Sequence, residues 1–269
     1  DARDVNGVDA EVLAEGRHPR LRLAELYRRT GNLPELAEQL RARAAAAVDD
    51  VDDARLAGDL AVLFPSRGLF VLGLDSVEMM GVDGLEPDYA AAIARAYNDW
   101  MRDFVAYDPQ RMFGAGMVAP HDVPSAVAEA RRCVEELDFK AIMLAPGCVN
   151  RRPWHHPVYD PLWAEIERLG VPLSFHGGGQ TYLPPDFSLQ VFDKLMMWHT
   201  FSQPLGIMTV TVSLCSGGVL ERFPKLRVIG TETGVGWIPY FLEQTDDNFL
   251  RHRFWAKTQL RMLPSEYFR

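Results

Sequence analysis

Cysteine is scarce in this sequence, and the scarcity narrows where the chain can work. Only Cys133, Cys148 and Cys215 stand among 269 residues. Their number is odd, their spacing wide, and no Cys-x-x-Cys occurs, so neither a disulfide frame nor a zinc knuckle is expected. The thiols read as reduced, in a cytoplasmic protein. Positive charge is also short: 28 Lys and Arg face 37 Asp and Glu, for a formal net charge of −9. No basic stripe gathers, which leaves a nucleic-acid partner without its electrostatic basis. No apolar run approaches the roughly 20 residues of a membrane span. The opening Asp1-Ala2-Arg3-Asp4 has no signal-peptide pattern. What remains is a globular composition, 48% hydrophobic and 24% charged, at a length suited to one α/β barrel or two smaller domains.

Two regions differ in texture. Residues 1–55 are rich in Ala, Arg, Asp and Glu at helical spacing and show no chemistry, so they are expected to form a helical amino-terminal segment. From residue 56 to 269 a strand–helix alternation takes over. Apolar runs punctuated by Pro or Gly predict strands at 60–64, 113–119, 139–144, 171–176 and 226–230. Helical periodicity predicts helices at 88–104, 123–137 (behind the capping candidate Asp122), 161–169, 189–223 with an interruption near Pro204, and 237–254. Right-handed crossovers would wind these strands into a parallel sheet in sequence order, as part of a barrel.

The segment Ser174-Phe175-His176-Gly177-Gly178-Gly179 carries the strongest chemical signal. It places an imidazole at the end of a buried strand, where side chains of a β/α barrel face the active site, beside glycines that leave room for a metal or substrate. A histidine that merely caps a strand in a Gly-rich turn is the bland alternative. Adjacent His155 and His156 diverge, His18 and His252 read as surface residues, and His121 reads as structural. Asn98 and Asp99 are expected on a helix away from any strand end. Met79-Met80 and Phe241–Phe249 read as core or subunit interface.

Taken together, Val62-Leu63-Phe64-Pro65, Tyr97-Asn98-Asp99-Trp100, Tyr159-Asp160-Pro161-Leu162-Trp163, Phe175-His176-Gly177-Gly178 and Gly217-Gly218-Val219-Leu220-Glu221-Arg222-Phe223-Pro224-Lys225-Leu226-Arg227-Val228 resemble the amidohydrolase-related metal-dependent hydrolases. That family includes aminocarboxymuconate-semialdehyde and resorcylate decarboxylases. The resemblance covers roughly residues 58–269 and implies an α/β fold, a distorted (β/α)8 TIM barrel, of which this chain would hold strands two to six. It also implies one divalent metal, Zn2+ first and Mn2+ second, with His176 matching the ligand after the family's fifth strand. Glu232, in Gly230-Thr231-Glu232-Thr233-Gly234, occupies the sixth-strand place that many relatives give to a catalytic His. His199, in the helical insertion between those strands, is implied to sit over the barrel mouth and to join Glu232 in the chemistry; a helix-packing His beside Trp198 is the alternative. Arg67, after the second strand, is the candidate partner for a substrate carboxylate; a surface-loop Arg is the alternative.

The family's His-x-His or Glu-x-His pair is absent from the sequence, and no segment matches its last-strand Asp. The resemblance implies hydrolysis or decarboxylation of a small, often aromatic or carboxylated, molecule. A truncated or degenerate barrel without a competent metal site is the alternative. Weak metal binding by the chain alone is expected. With first and last strands missing, open sheet edges are expected to be covered by the amino-terminal helices or by self-association.

Overall fold

The computed structural model describes residues 60–65, 85–149, 152–176, 194–255 and 259–268. The described strands are β1 (Ala61–Leu63), β2 (Met112–Met117), β3 (Ala141–Leu144), β4 (Leu173–His176) and β5 (Val228–Thr231). They form one sheet in the order β1-β2-β3-β4-β5, every neighbouring pair parallel. Between them lie the helices α1 (Pro87–Val105), α2 (Val123–Glu135), α3 (Asp160–Leu169), α4 (Leu195–Leu214) and α5 (Val219–Arg222), and α6 (Ile238–His252) follows β5. All five expected strands are present within a few residues of their sequence bounds. The amino-terminal region 1–59, with its expected helices, lies outside the described residues.

Local chemistry sets the helix ends. Pro87 opens α1, with Asp88 in the first turn and Arg102 in the last, both favourable to the helix dipole. Asp122 caps α2 by accepting the Ser125 N–H at 2.9 Å and the Ser125 hydroxyl at 2.6 Å. Gly170 stops α3 in the left-handed conformation, φ 70°, that a Cβ would disfavour. Pro204 falls inside α4, whose buried residues include Ile207, Val210 and Leu214.

The principal core lies between the sheet and its helices. Ile142, Leu144, Leu173 and Phe175 pack there with Trp154, Tyr159, Trp163 and Ile166. Gly114 and Gly116 face the same layer: a Cβ on either would fall 2.7 Å from Phe139 or Cys133, so glycine permits the close approach of β2. The other face carries a separate cluster, Ala115, Ala141 and Met143 with Phe64 and Ala145 against it. Strands of a parallel sheet lie about 4.8 Å apart, so β1 and β4 in a flat sheet would be separated by about 14 Å. Yet the Phe64 and His176 rings, from the ends of β1 and β4, stack with centroids 5.8 Å apart. The sheet curls, and the small-residue cluster lines its concave side.

A buried polar group fixes the end of β2. Lys140 donates its N–H to the Gly114 carbonyl, so Gly114 faces β3. Successive residues of a strand address opposite neighbours, which turns Met117 toward β1, beyond the end of that strand. Asn98 of α1 takes the missing strand's place: its Oδ1 accepts the Met117 N–H at 2.8 Å and its Nδ2 donates to the Met117 carbonyl at 2.8 Å. Glu129 also accepts from Asn98 Nδ2, and Arg132 holds Glu129 while reaching Asp99. Asn98 is therefore structural, but the expectation that it lies away from any strand end is corrected. Helix α6 contains no buried residue, so of the two readings of Phe241–Phe249, core or subunit interface, core does not hold among the described residues.

Candidate active site

Leu173 and Phe175 face the helix layer, which turns Ser174 and His176 to the concave side of β4. In the ladder to β5, Ser174 lies opposite Ile229 and His176 opposite Thr231. A hydroxyl pair, Ser174 Oγ and Thr231 Oγ1 at 2.7 Å, joins the two strands on this side. Glu232 follows β5 directly, with φ 58°, a left-handed backbone uncommon for a residue with a side chain. Its carboxylate comes back to His176, with Oε2 3.5 Å from Nε2. That separation exceeds the roughly 2.7–2.9 Å of a tight charge-assisted hydrogen bond, so the two groups are adjacent without being locked. The His176 side chain is one-fifth exposed and that of Glu232 two-thirds exposed. The imidazole thus sits in the wall, and the carboxylate reaches solvent.

The second ring nitrogen, His176 Nδ1, is buried and has no hydrogen-bond partner among the described residues. Buried polar atoms are nearly always satisfied. An unengaged imidazole nitrogen beside a carboxylate fits part of a divalent-metal site. Among the described residues no three His, Cys, Asp or Glu come together as a ligand cluster. His176 offers one imidazole donor with Glu232 beside it, whereas catalytic zinc commonly takes about three donors from protein.

The remaining candidates divide by position. His199 falls in the first turns of α4. Arg67 lies outside the described residues. His121 is buried after β2. His155 and His156 serve the start of α3: His156 Nδ1 accepts the Val158 N–H, and the His155 carbonyl accepts from Arg222. The sequence reading missed Phe64 and the Ser174–Thr231 pair. Pro65 marks the carboxyl end of β1 as clearly as the glycines mark that of β4, and strand-end logic extended to apolar residues would have found Phe64.

The comparisons with known proteins point one way. The chain is 25% identical over 206 residues to gamma-resorcylate decarboxylase of Rhizobium sp. (strain MTP-10005), covering 73% of this chain and 59% of that protein. It is 26% identical over 179 residues to 2-amino-3-carboxymuconate-6-semialdehyde decarboxylase of Dictyostelium discoideum, covering 65% of this chain and 47% of that protein. The chain thus spans only about half to three-fifths of the length of these curated relatives. The structure is similar to that of 5-carboxyvanillate decarboxylase from Sphingomonas paucimobilis, with TM-score 0.62 and 22% identity over 80% of this chain and 61% of that one. A 5-carboxyvanillate decarboxylase from Novosphingobium aromaticivorans, solved with manganese and 4-hydroxy-3-methoxy-5-nitrobenzoic acid, matches with TM-score 0.62 and 20% identity over 96% of this chain and 66% of that one. These likenesses establish the fold as the greater part of a TIM barrel. The family model described as Amidohydrolase matches residues 67–262, and the chain belongs to that family.

Proposed function

We propose that this chain forms part of the active site of a metal-dependent carboxy-lyase acting on a small aromatic carboxylate. The observation that carries the reading is the His176–Glu232 pair. The two residues stand 3.5 Å apart at the carboxyl ends of adjacent parallel strands, and the other imidazole nitrogen is buried without a partner. The names of the relatives support decarboxylation over hydrolysis of an amide, lactone or ester. The manganese of a structural neighbour supports Mn2+ ahead of Zn2+.

When bound, the metal would supply positive charge that polarises the substrate carboxylate. His176 would hold it from the wall of the barrel. As the carbon–carbon bond breaks and carbon dioxide leaves, the ring carbon takes a proton, and Glu232 is the group placed to deliver it. Its exposure lets it recover that proton from solvent. Arg67 would pair with a second anionic group of the substrate, and His199 would close the mouth. The substrate is a small molecule. The shortage of donors among the described residues favours a second reading, a barrel without a competent metal site.

The test is release of carbon dioxide from 2,6-dihydroxybenzoate and 5-carboxyvanillate in the presence of Mn2+, with elemental analysis of the dialysed protein. His176→Ala should abolish metal retention and turnover together. Glu232→Gln should spare the metal and lower kcat by on the order of 100-fold or more, because it keeps the shape and removes the titratable oxygen. Absence of both metal and turnover in the unaltered chain would establish the second reading instead.

A further inference from the structure

The His176 ring is four-fifths buried, but few polar groups among the described residues hold it. Its one acidic neighbour among them, Glu232, is two-thirds exposed and 3.5 Å away, and Nδ1 makes no hydrogen bond among them. A metal-binding histidine is ordinarily aimed by a hydrogen bond from its other nitrogen to a carboxylate or a carbonyl. Here the Glu232 contact is too long and too exposed to hold the ring plane alone. The rigid contact is aromatic. Phe64 lies over one face of the imidazole, with ring planes 30° apart and centroids at 5.8 Å.

Phe64 is itself fixed from three sides. Its side chain packs against the buried Ala115, Ala141 and Met143. Its carbonyl accepts the Tyr97 hydroxyl of α1 at 3.4 Å. Pro65, buried, follows it and stops the strand. The small side chains Ala115 and Ala141 on the strands between β1 and β4 leave the Phe64 ring free to reach across the concave face.

We infer that Phe64 is a positioning residue for His176. It covers one face of the imidazole and sets the ring plane, so that the Nε2 edge stays turned toward Glu232 while Nδ1 stays buried. Phe64 touches neither metal nor substrate in this role. The inference rests on the reading of His176 as the metal-holding residue only for its second consequence, metal affinity; its first, the fixed ring, stands apart from that reading.

The experiment compares Phe64→Met, which keeps apolar bulk and loses the ring, with Phe64→Tyr, which keeps the ring. The first measurement is carbon–proton NMR of the seven histidines in the metal-free chain, with His176 assigned by its loss in His176→Ala. The unaltered chain should show His176 ring protons displaced upfield by the Phe64 ring, in one narrow set. Phe64→Met should lose the displacement and broaden or average the signals, and Phe64→Tyr should retain both features. The second measurement is Mn2+ binding by electron paramagnetic resonance. Phe64→Met should weaken it on the order of tenfold, the scale of other groups that aim a metal-binding histidine, and Phe64→Tyr should restore it. Unchanged His176 signals in folded Phe64→Met would overturn the inference, as would failure of Phe64→Tyr to retain them. If the unaltered chain binds no Mn2+, the metal reading fails, and the NMR comparison alone decides the role of Phe64.

Discussion

Replacing Asn98 by Ala should be among the most damaging single changes away from the candidate site. The residue is fully buried and makes three hydrogen bonds of 2.8 Å, two to Met117 and one to Glu129. Alanine leaves the Met117 N–H and carbonyl facing a gap where β1 has ended. Each buried backbone group left unpaired costs about 1–3 kcal/mol. Glu129 keeps Arg132 and loses least. Two orphaned groups give about 3–4 kcal/mol, a large share of the roughly 5–15 kcal/mol that holds a domain together. In a urea titration, with a slope of about 2–3 kcal/mol/M, the midpoint should fall by more than about 1 M. Asn98→Asp sharpens the test. It keeps an acceptor for the Met117 N–H but sets an anionic oxygen against the Met117 carbonyl and Glu129, so at neutral pH it should cost at least as much as Ala. Its folded-state pKa must be raised, so its deficit relative to the unaltered chain should shrink as pH falls and the carboxyl regains a proton to donate. A midpoint for Asn98→Ala within experimental error of the unaltered chain would refute the account of Asn98 as a stand-in for a strand.

Two further outcomes follow from groups outside the His176–Glu232 pair. The Arg168 hydrogen bonds, and then those of Arg131, hold the Glu165 carboxyl down at about 2, below its ordinary value of 4.5. A depressed carboxyl stabilises the fold above its unfolded pKa and ceases to do so as pH falls through the folded one. Glu165→Gln should therefore be less stable at pH 7, with the difference disappearing between about pH 4.5 and 2 in urea melts taken across that range. Of the three free thiols, Cys133 and Cys215 are buried and Cys148 is exposed, and burial pushes the Cys215 thiol up to about 12. Native protein should release one equivalent of thionitrobenzoate from Ellman's reagent promptly and three in urea.

The sequence carried the strand plan because every expected strand is an apolar run bounded by Pro or Gly, and five such runs separated by helices have few ways to pair. The His176–Glu232 pairing was also legible, since both residues end strands that neighbour in sequence order. Boundaries were less so. The stretch 113–119 was expected to continue as strand through Ala119, but the ladder closes at Met117, where Asn98 supplies the next partner. Val118 and Ala119 stay buried beyond the end of the ladder. A signal for Asn98 was present: it lies four residues after Ala94 and three before Met101, both buried, so a polar residue interrupts the apolar stripe of α1. Phe64 was legible as a strand-end residue, but its contact with His176, across the two intervening strands, depends on curvature that no local pattern encodes.

That same contact bears on the order in which the molecule assembles. Each strand pairs with the strand next to it in sequence, so most of the sheet can grow by adding one unit at a time, each at modest loop-closure cost. The meeting of Phe64 with His176 joins residues 64 and 176, and it becomes available only after the sheet between them has formed and bent. The scaffold can therefore be native-like while the imidazole is still loose, and the candidate site takes its final geometry in a late step of folding.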